Sequence, residues 1–172
     1  MGDAPFEQTL DAMLELSEQG KVRHVGLSNF TSEQVERALE HAPVFANQVE
    51  YDPFLGQREL VGLAVKHDRM VTAYSPWSVV RCSTMTRWPR SPTRTTRNPL
   101  RWRCAGCSRM TVSAIPKSTS PQHIASNVAA LDLDVDDDEL RRIDGLDRGL
   151  RLIDPPFAAW WRTVRRGTPR PP

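Results

Sequence analysis

Apolar positions along the chain fall into alternating helical and strand spacings. Phe6, Leu10, Met13 and Leu14 share one helical face, with Asp3 placed to cap, Pro5 suited to the first turn and Gly20 to the stop. Lys21–Phe30 follows as a short strand carrying Val22, Val25 and Leu27. Thr31 and Gln34 spell a capping box ahead of a helix whose buried stripe is Val35, Ala38 and Leu39. Val44–Tyr51 reads as a strand, Gln57–His67 as a helix through Leu60, Leu63 and Ala64, and Met70–Ser75 as another strand. Further on, Val112–Ile115 makes a short strand, and Ser120-Pro121 opens a helix carrying Ile124, Val128 and Leu131. A last helix from about Asp136 sets Leu140 and Ile143 on one face, with acids in its first turn where the helix dipole favours them. Helix and strand in alternation predict an α/β fold, with a parallel sheet and helical crossovers.

Composition bounds this picture. A chain of 172 residues suffices for one domain. It has no apolar run near membrane-spanning length and no basic-then-apolar leader, so the expectation is a cytoplasmic protein with no membrane partner. Three cysteines give no disulfide framework, and no cluster has the ligand count of a metal site.

Charge changes the picture more. Residues 1–68 hold 12 acids against 5 bases, whereas 69–131 hold 10 bases and no acid. Within the latter, 79–111 contains eight Arg, all three Cys, two Trp and three Pro, and neither strand nor helical period survives there. Arginines with Trp88 and Trp102 could form a nucleic-acid arm, and Cys104-Ala-Gly-Cys107 has the spacing of a metal or redox pair. No fold motif accompanies the first and no fourth ligand or helix start the second, so neither nucleic acid nor metal is expected.

Four short motifs stand at the C-terminal ends of predicted strands: Ser28-Asn29, Asn47-Gln48, Tyr74-Ser75-Pro76 and Ile115-Pro116-Lys117-Ser118. Singly each has a plain reading as a turn residue, a packed ring or a solvated charge. Together, at the end of a parallel sheet where ligands bind, they describe a pocket for a nucleotide. Amides and hydroxyls can hold a carboxamide, a tyrosine can stack on a flat ring, and a lysine beside a helix mouth can meet a phosphate.

In order, VRHVGLSNF, ANQVEY, VTAYSP and SAIPKSTSPQHIASN resemble the second half of the aldo-keto reductase family, over about 1–77 and 112–160. The resemblance implies the C-terminal half of a (β/α)8 TIM barrel, from helix four through strands five to eight, and NAD(P)H-dependent reduction of an aldehyde or ketone. It implies that Ser28, Asn29 and Gln48 hydrogen-bond the nicotinamide carboxamide and that Tyr74 stacks on the nicotinamide ring. Ser75 matches a pyrophosphate contact, Lys117 and Ser118 the contacts to the 2′-phosphate of NADP(H), and Asn127 an adenine contact. Trp77 stands where the family usually has Leu. His123 replaces the usual Arg and Ser126 the usual Glu, which weakens the case for NADP(H) over NAD(H), because a permanent guanidinium charge is missing.

The family's catalytic Asp, Tyr, Lys and His would lie before Met1, so no catalytic residue is assigned, and this chain alone is expected to be inactive. The family's Ala-Leu-Arg-Trp helix between strands seven and eight is also missing. Read one nucleotide out of register, Met85–Thr86 and Met110–Thr111 each force Asp, Trp88–Pro89 forces Ala, and Trp102–Ser108 permits Ala-Leu-Arg-Trp-Leu-Leu. About 79–111 therefore reads as a frame-shifted stretch or irregular insert. The expected organisation is a partial barrel domain over 1–160, interrupted at 79–111, and a basic Pro-rich tail over 161–172. The alternative function is a non-catalytic nucleotide-binding half-barrel that pairs with a separately encoded first half. Exposed barrel edges predict low stability and self-association.

Overall fold

The computed structural model describes residues 5–76, 112–132 and 136–153. Among these residues nine elements follow in chain order: α1 (Phe6–Glu18), β1 (Val25–Ser28), α2 (Ser32–His41), β2 (Val44–Glu50), α3 (Arg58–Lys66), β3 (Met70–Tyr74), β4 (Val112–Ala114), α4 (Pro121–Val128) and α5 (Asp137–Asp144). The expected frame shift over 79–111, Trp77, the capping role of Asp3 and the 161–172 tail all lie outside the described residues.

The four strands form one sheet in the order β1-β2-β3-β4, every pair parallel. Because each strand sits beside its predecessor, each crossover advances the sheet by one strand. Register then fixes which side chains share a face. Leu27, Asn47, Val71 and Val112 align as one row, and Val49, Ala73 and Ala114 as the next. These rows pack under α1, α2 and α3, where Leu10, Val35, Ala38, Leu60, Leu63 and Ala64 complete the core. The opposite face carries Ser28, Gln48, Thr72 and Ser113 in a single polar row, bordered by Gly26, Ala46 and Met70. Two-sidedness of this kind is the pleat acting on alternating residues: apolar toward the helices, polar toward the other side.

The capping box at α2 forms as the sequence predicts. The Gln34 N–H donates to Thr31 Oγ1 at 3.3 Å, and the Thr31 N–H donates to Gln34 Oε1 at 2.9 Å. A second box, between Asp136 and Glu139, starts α5. Between α1 and α2, Arg37 pairs with Glu7 and lies over the Phe6 ring, and His41 meets Asp11 at 2.7 Å.

One expectation is corrected. The first strand does not begin at Lys21: ladder pairing starts at Val25, opposite Val44, and Val22 is exposed. Among the described residues, 21–24 have no partner strand, and alternation alone cannot supply one. The apolar stripe carried by the helix after β4 is open, with Ile124, Val128 and Leu131 at 48%, 62% and 71% exposure. α4 stands off the sheet across a groove of about 770 Å³, bordered by Val128, Leu131, Phe45, Met70 and Val112.

Candidate cofactor site

β1, β2 and β3 end at the same rim, and the register that aligns them brings the candidate residues together. Ser28 lies opposite Gln48, and Glu50 opposite Tyr74, all on the polar face. Asn29 follows β1 directly, and its N–H donates to the Gln48 carbonyl at 2.8 Å, so the turn begins as an extension of the ladder. The Asn29 backbone is left-handed, at φ 60°, a conformation asparagine tolerates better than most residues. Its side chain turns back along the rim: Nδ2 donates to Ser28 Oγ at 3.0 Å, and Oδ1 accepts from the Tyr74 hydroxyl at 2.6 Å.

Asn47 and Gln48 are adjacent yet serve opposite faces. Gln48 points with Ser28 toward the polar side. Asn47 is buried on the helix side, where Nδ2 donates to the Phe30 carbonyl at 3.0 Å and Oδ1 accepts from the Phe30 N–H at 3.4 Å. That two-point clasp on the backbone fixes the β1–α2 turn from behind and so sets where Asn29 stands.

Ser75, after β3, is also left-handed at φ 49°. A serine gains no intrinsic relief there, and such geometry typically costs about 1–3 kcal/mol, held by the surrounding structure. Both residues that leave the sheet at this rim after β1 and β3 therefore reverse the chain sharply. Burial, and then the Glu50 carboxylate, push the Tyr74 phenol above its ordinary range, while Arg151 acts in the opposite direction.

The remaining candidates follow β4. Ile115 extends the ladder by donating to the Ala73 carbonyl at 3.1 Å, and the chain then turns through Pro116 and the exposed Lys117. Ser118 Oγ accepts from the Ser120 N–H at 3.2 Å, and Ser120 caps α4 by accepting from the His123 N–H at 3.4 Å. Lys117, Ser118 and His123 thus gather at the mouth of a helix whose leading N–H groups favour an anion. His123 is exposed, and Asn127, one turn further along α4, borders the groove beneath it.

Several participants were not read from the sequence. Thr72 and Ser113 extend the polar row, and Glu50 and Arg151 meet beside Tyr74. A charged residue inside the apolar stretch Val44–Tyr51 was the one available signal for Glu50. Nothing local marks Arg151, whose relevance depends on a contact spanning about a hundred residues. Among the described residues there is no group of three or more potential metal ligands, and no helix is long and apolar enough to cross a membrane.

Comparison with known proteins gives this arrangement a context. Residues 2–100 match the family model for the aldo/keto reductase family. An NAD(P)H-dependent D-xylose reductase of Aspergillus niger is 32% identical over 90% of this chain and 53% of its own length. A methylglyoxal reductase of Salmonella typhi is 31% identical over 90% of this chain and 59% of its own. Among solved structures, an aldo-keto reductase of Bombyx mori in complex with NADP superposes with a TM-score of 0.78 at 26% identity, over 94% of this chain and 55% of that one. The chain spans a little over half the length of these relatives. A family model that accounts for more than half of the residues, on a parallel α/β sheet of matching shape, makes the chain a member of the aldo-keto reductase family.

Proposed function

We propose that the chain is the nucleotide-binding half of an NAD(P)H-dependent carbonyl reductase, corresponding to helix four and strands five to eight of a (β/α)8 barrel. One observation carries this reading: parallel register delivers Ser28, Asn29, Gln48 and Tyr74 to one rim, with an anion-favouring helix mouth after the neighbouring strand. The donor set fits a nicotinamide nucleotide. Ser28 and Gln48 offer a hydroxyl and an amide to a carboxamide, and Asn29 is already oriented by its bonds to Ser28 and Tyr74. The Tyr74 ring offers a flat apolar surface to a heterocycle. Ser75 stands where a pyrophosphate would pass, Lys117, Ser118 and His123 at the ribose phosphate, and Asn127 toward the adenine end.

When bound, the reduced nicotinamide supplies a hydride to the carbonyl carbon of an aldehyde or ketone. The contribution of these residues is to hold and orient the ring, which converts binding energy into alignment of the transferring hydrogen. The proton donor is assigned to the first half of the barrel, outside these 172 residues. The decisive experiment titrates the 172-residue chain with NADPH and with NADH, following the nucleotide's fluorescence. Saturable binding that N29A and Y74A weaken supports the reading; absence of binding by a folded chain overturns it. Sequencing the DNA immediately upstream then shows whether a first half is continuous with this one.

A second reading is a non-catalytic half-barrel that completes itself with a separately encoded first half. It is favoured by the sheet's outer strands, since β1 and β4 each pair on one side only among the described residues. An unsealed parallel edge invites a partner, including a second copy of the chain. An independent upstream reading frame carrying the first half, and co-purification of its product, would support this reading over the first.

A further inference from the structure

Glu50, the last residue of β2, has 0% exposure. A carboxylate removed from water must be met by donors, and here they come from the far end of the chain. Oε1 accepts from the Leu152 N–H at 2.8 Å, Oε2 accepts from the Ile153 N–H at 3.1 Å, and the Arg151 guanidinium lies 3.7 Å from Oε2. The segment that carries these donors is fastened along its length. Arg148 and Leu150 donate to the Phe54 carbonyl at 3.1 and 3.0 Å, and Arg58 donates to the Asp144 carbonyl at 2.9 Å and pairs with Asp147 at 3.5 Å. Gln57 Nε2 closes the other side by donating to the Glu50 carbonyl at 2.9 Å.

Bonds to the Phe54 carbonyl and the Arg58 contacts also fasten this strap, so the ion pair is not its only hold. Replacing a buried pair by well-packed apolar groups is often neutral or stabilising, so stability is a weak explanation. What the pair does is fix a cation at a defined place. Glu50 is the register partner of Tyr74, and the Arg151 guanidinium paired with it lies close enough for its charge to act on the Tyr74 phenol. That hydroxyl in turn donates to Asn29 Oδ1 at 2.6 Å, and Asn29 Nδ2 donates to Ser28 Oγ at 3.0 Å. A run of polar groups thus leads from the buried carboxylate through Arg151, Tyr74 and Asn29 to Ser28.

We propose that Glu50 is a positioning residue for Tyr74 that acts through Arg151: the carboxylate aims the guanidinium at the phenol, and the phenol, held also by Asn29, presents its ring as a rigid platform at the rim. The functional consequence rests on reading Tyr74 as the surface for the nicotinamide ring, so the primary test is one that needs no nucleotide.

The chain has two tyrosines, so the difference in phenolate absorbance between a chain and its Y74F counterpart isolates the titration of Tyr74. E50Q removes a negative charge near the phenol while the Arg151 cation stays; this favours the phenolate, and the Tyr74 midpoint moves down. R151M removes the cation and moves it up, while R151K, which keeps the charge, returns it toward the parent value. Arg151 is partly exposed, at 23%, so its variants carry the test if E50Q fails to fold. Midpoints unchanged in folded E50Q and R151M chains overturn the proposal and leave Glu50 as an anchor for the strap alone. In the same variants NADPH affinity falls by about two- to tenfold, the range of one weakened hydrogen bond. Shifted midpoints with unchanged NADPH affinity uphold the positioning of Tyr74 and overturn its reading as the nicotinamide platform.

Discussion

The Tyr74 hydroxyl donates to Asn29 Oδ1 at 2.6 Å, so the residue that ends β3 holds the one that leaves β1, across the strand between them. The bond joins a flat ring to an amide at the rim where all three strands end. Y74F keeps the ring and removes the bond. NADPH affinity then falls roughly two- to tenfold, matching a net contribution of about 0.5–1.5 kcal/mol for one hydrogen bond, whereas Y74A, which removes the platform as well, loses more. At Asn29 two effects separate cleanly. N29G relieves the left-handed backbone and N29A strains it by about 1 kcal/mol, yet both delete the acceptor. Urea titrations should therefore rank N29G as more stable than N29A, while nucleotide titrations find both impaired.

Alkali provides a second handle on the same residue. Burial and the Glu50 charge raise the Tyr74 phenol above its ordinary value of 10.0 in the folded chain. A group raised on folding contributes stability that is fully present below its unfolded pKa and is lost as pH rises through the folded one. Tyr74 therefore adds to stability up to about pH 10 and loses that contribution above it. Denaturation midpoints for the parent chain and Y74F, measured across this range, should converge as pH climbs. A constant separation would contradict the shift.

Asn47 tests the scaffold behind the site. Its two bonds to the Phe30 backbone are buried, and N47L leaves that N–H and carbonyl without their side-chain partner. The expected loss is about 1–3 kcal/mol by denaturant titration, the desolvation cost of orphaned groups. Q48L, on the solvent side of the same strand, should leave stability nearly unchanged and weaken nucleotide binding instead.

That contrast marks how far the sequence could be read. Asn47-Gln48 was visible as a polar pair at a strand end, but only the pleat, set by pairing with β1 and β3, sends one inward and the other to the rim. The β1–β2–β3 alternation, the Thr31 capping box and the rim residues Ser28, Asn29 and Tyr74 were legible because they depend on local spacing. Glu50 with Arg151 was not, because its partners lie about a hundred residues apart. The exposed apolar stripe of α4 marks the limit of periodicity: it shows that a face is apolar, whereas burial requires something packed against it.

His123 bears on cofactor preference. It stands at the third position of α4, exposed, near Ser118 and the exposed Lys117 at the helix mouth. An imidazole offers a phosphate a ring nitrogen, whereas a guanidinium presents a permanent charge and a bidentate fork. H123R should therefore tighten NADPH binding while leaving NADH binding almost unchanged, with the gain shrinking as salt rises. Paired titrations of the two nucleotides with the parent chain and H123R, at low and high salt, measure this directly. Equal responses of NADPH and NADH in the variant would remove His123 from the phosphate site.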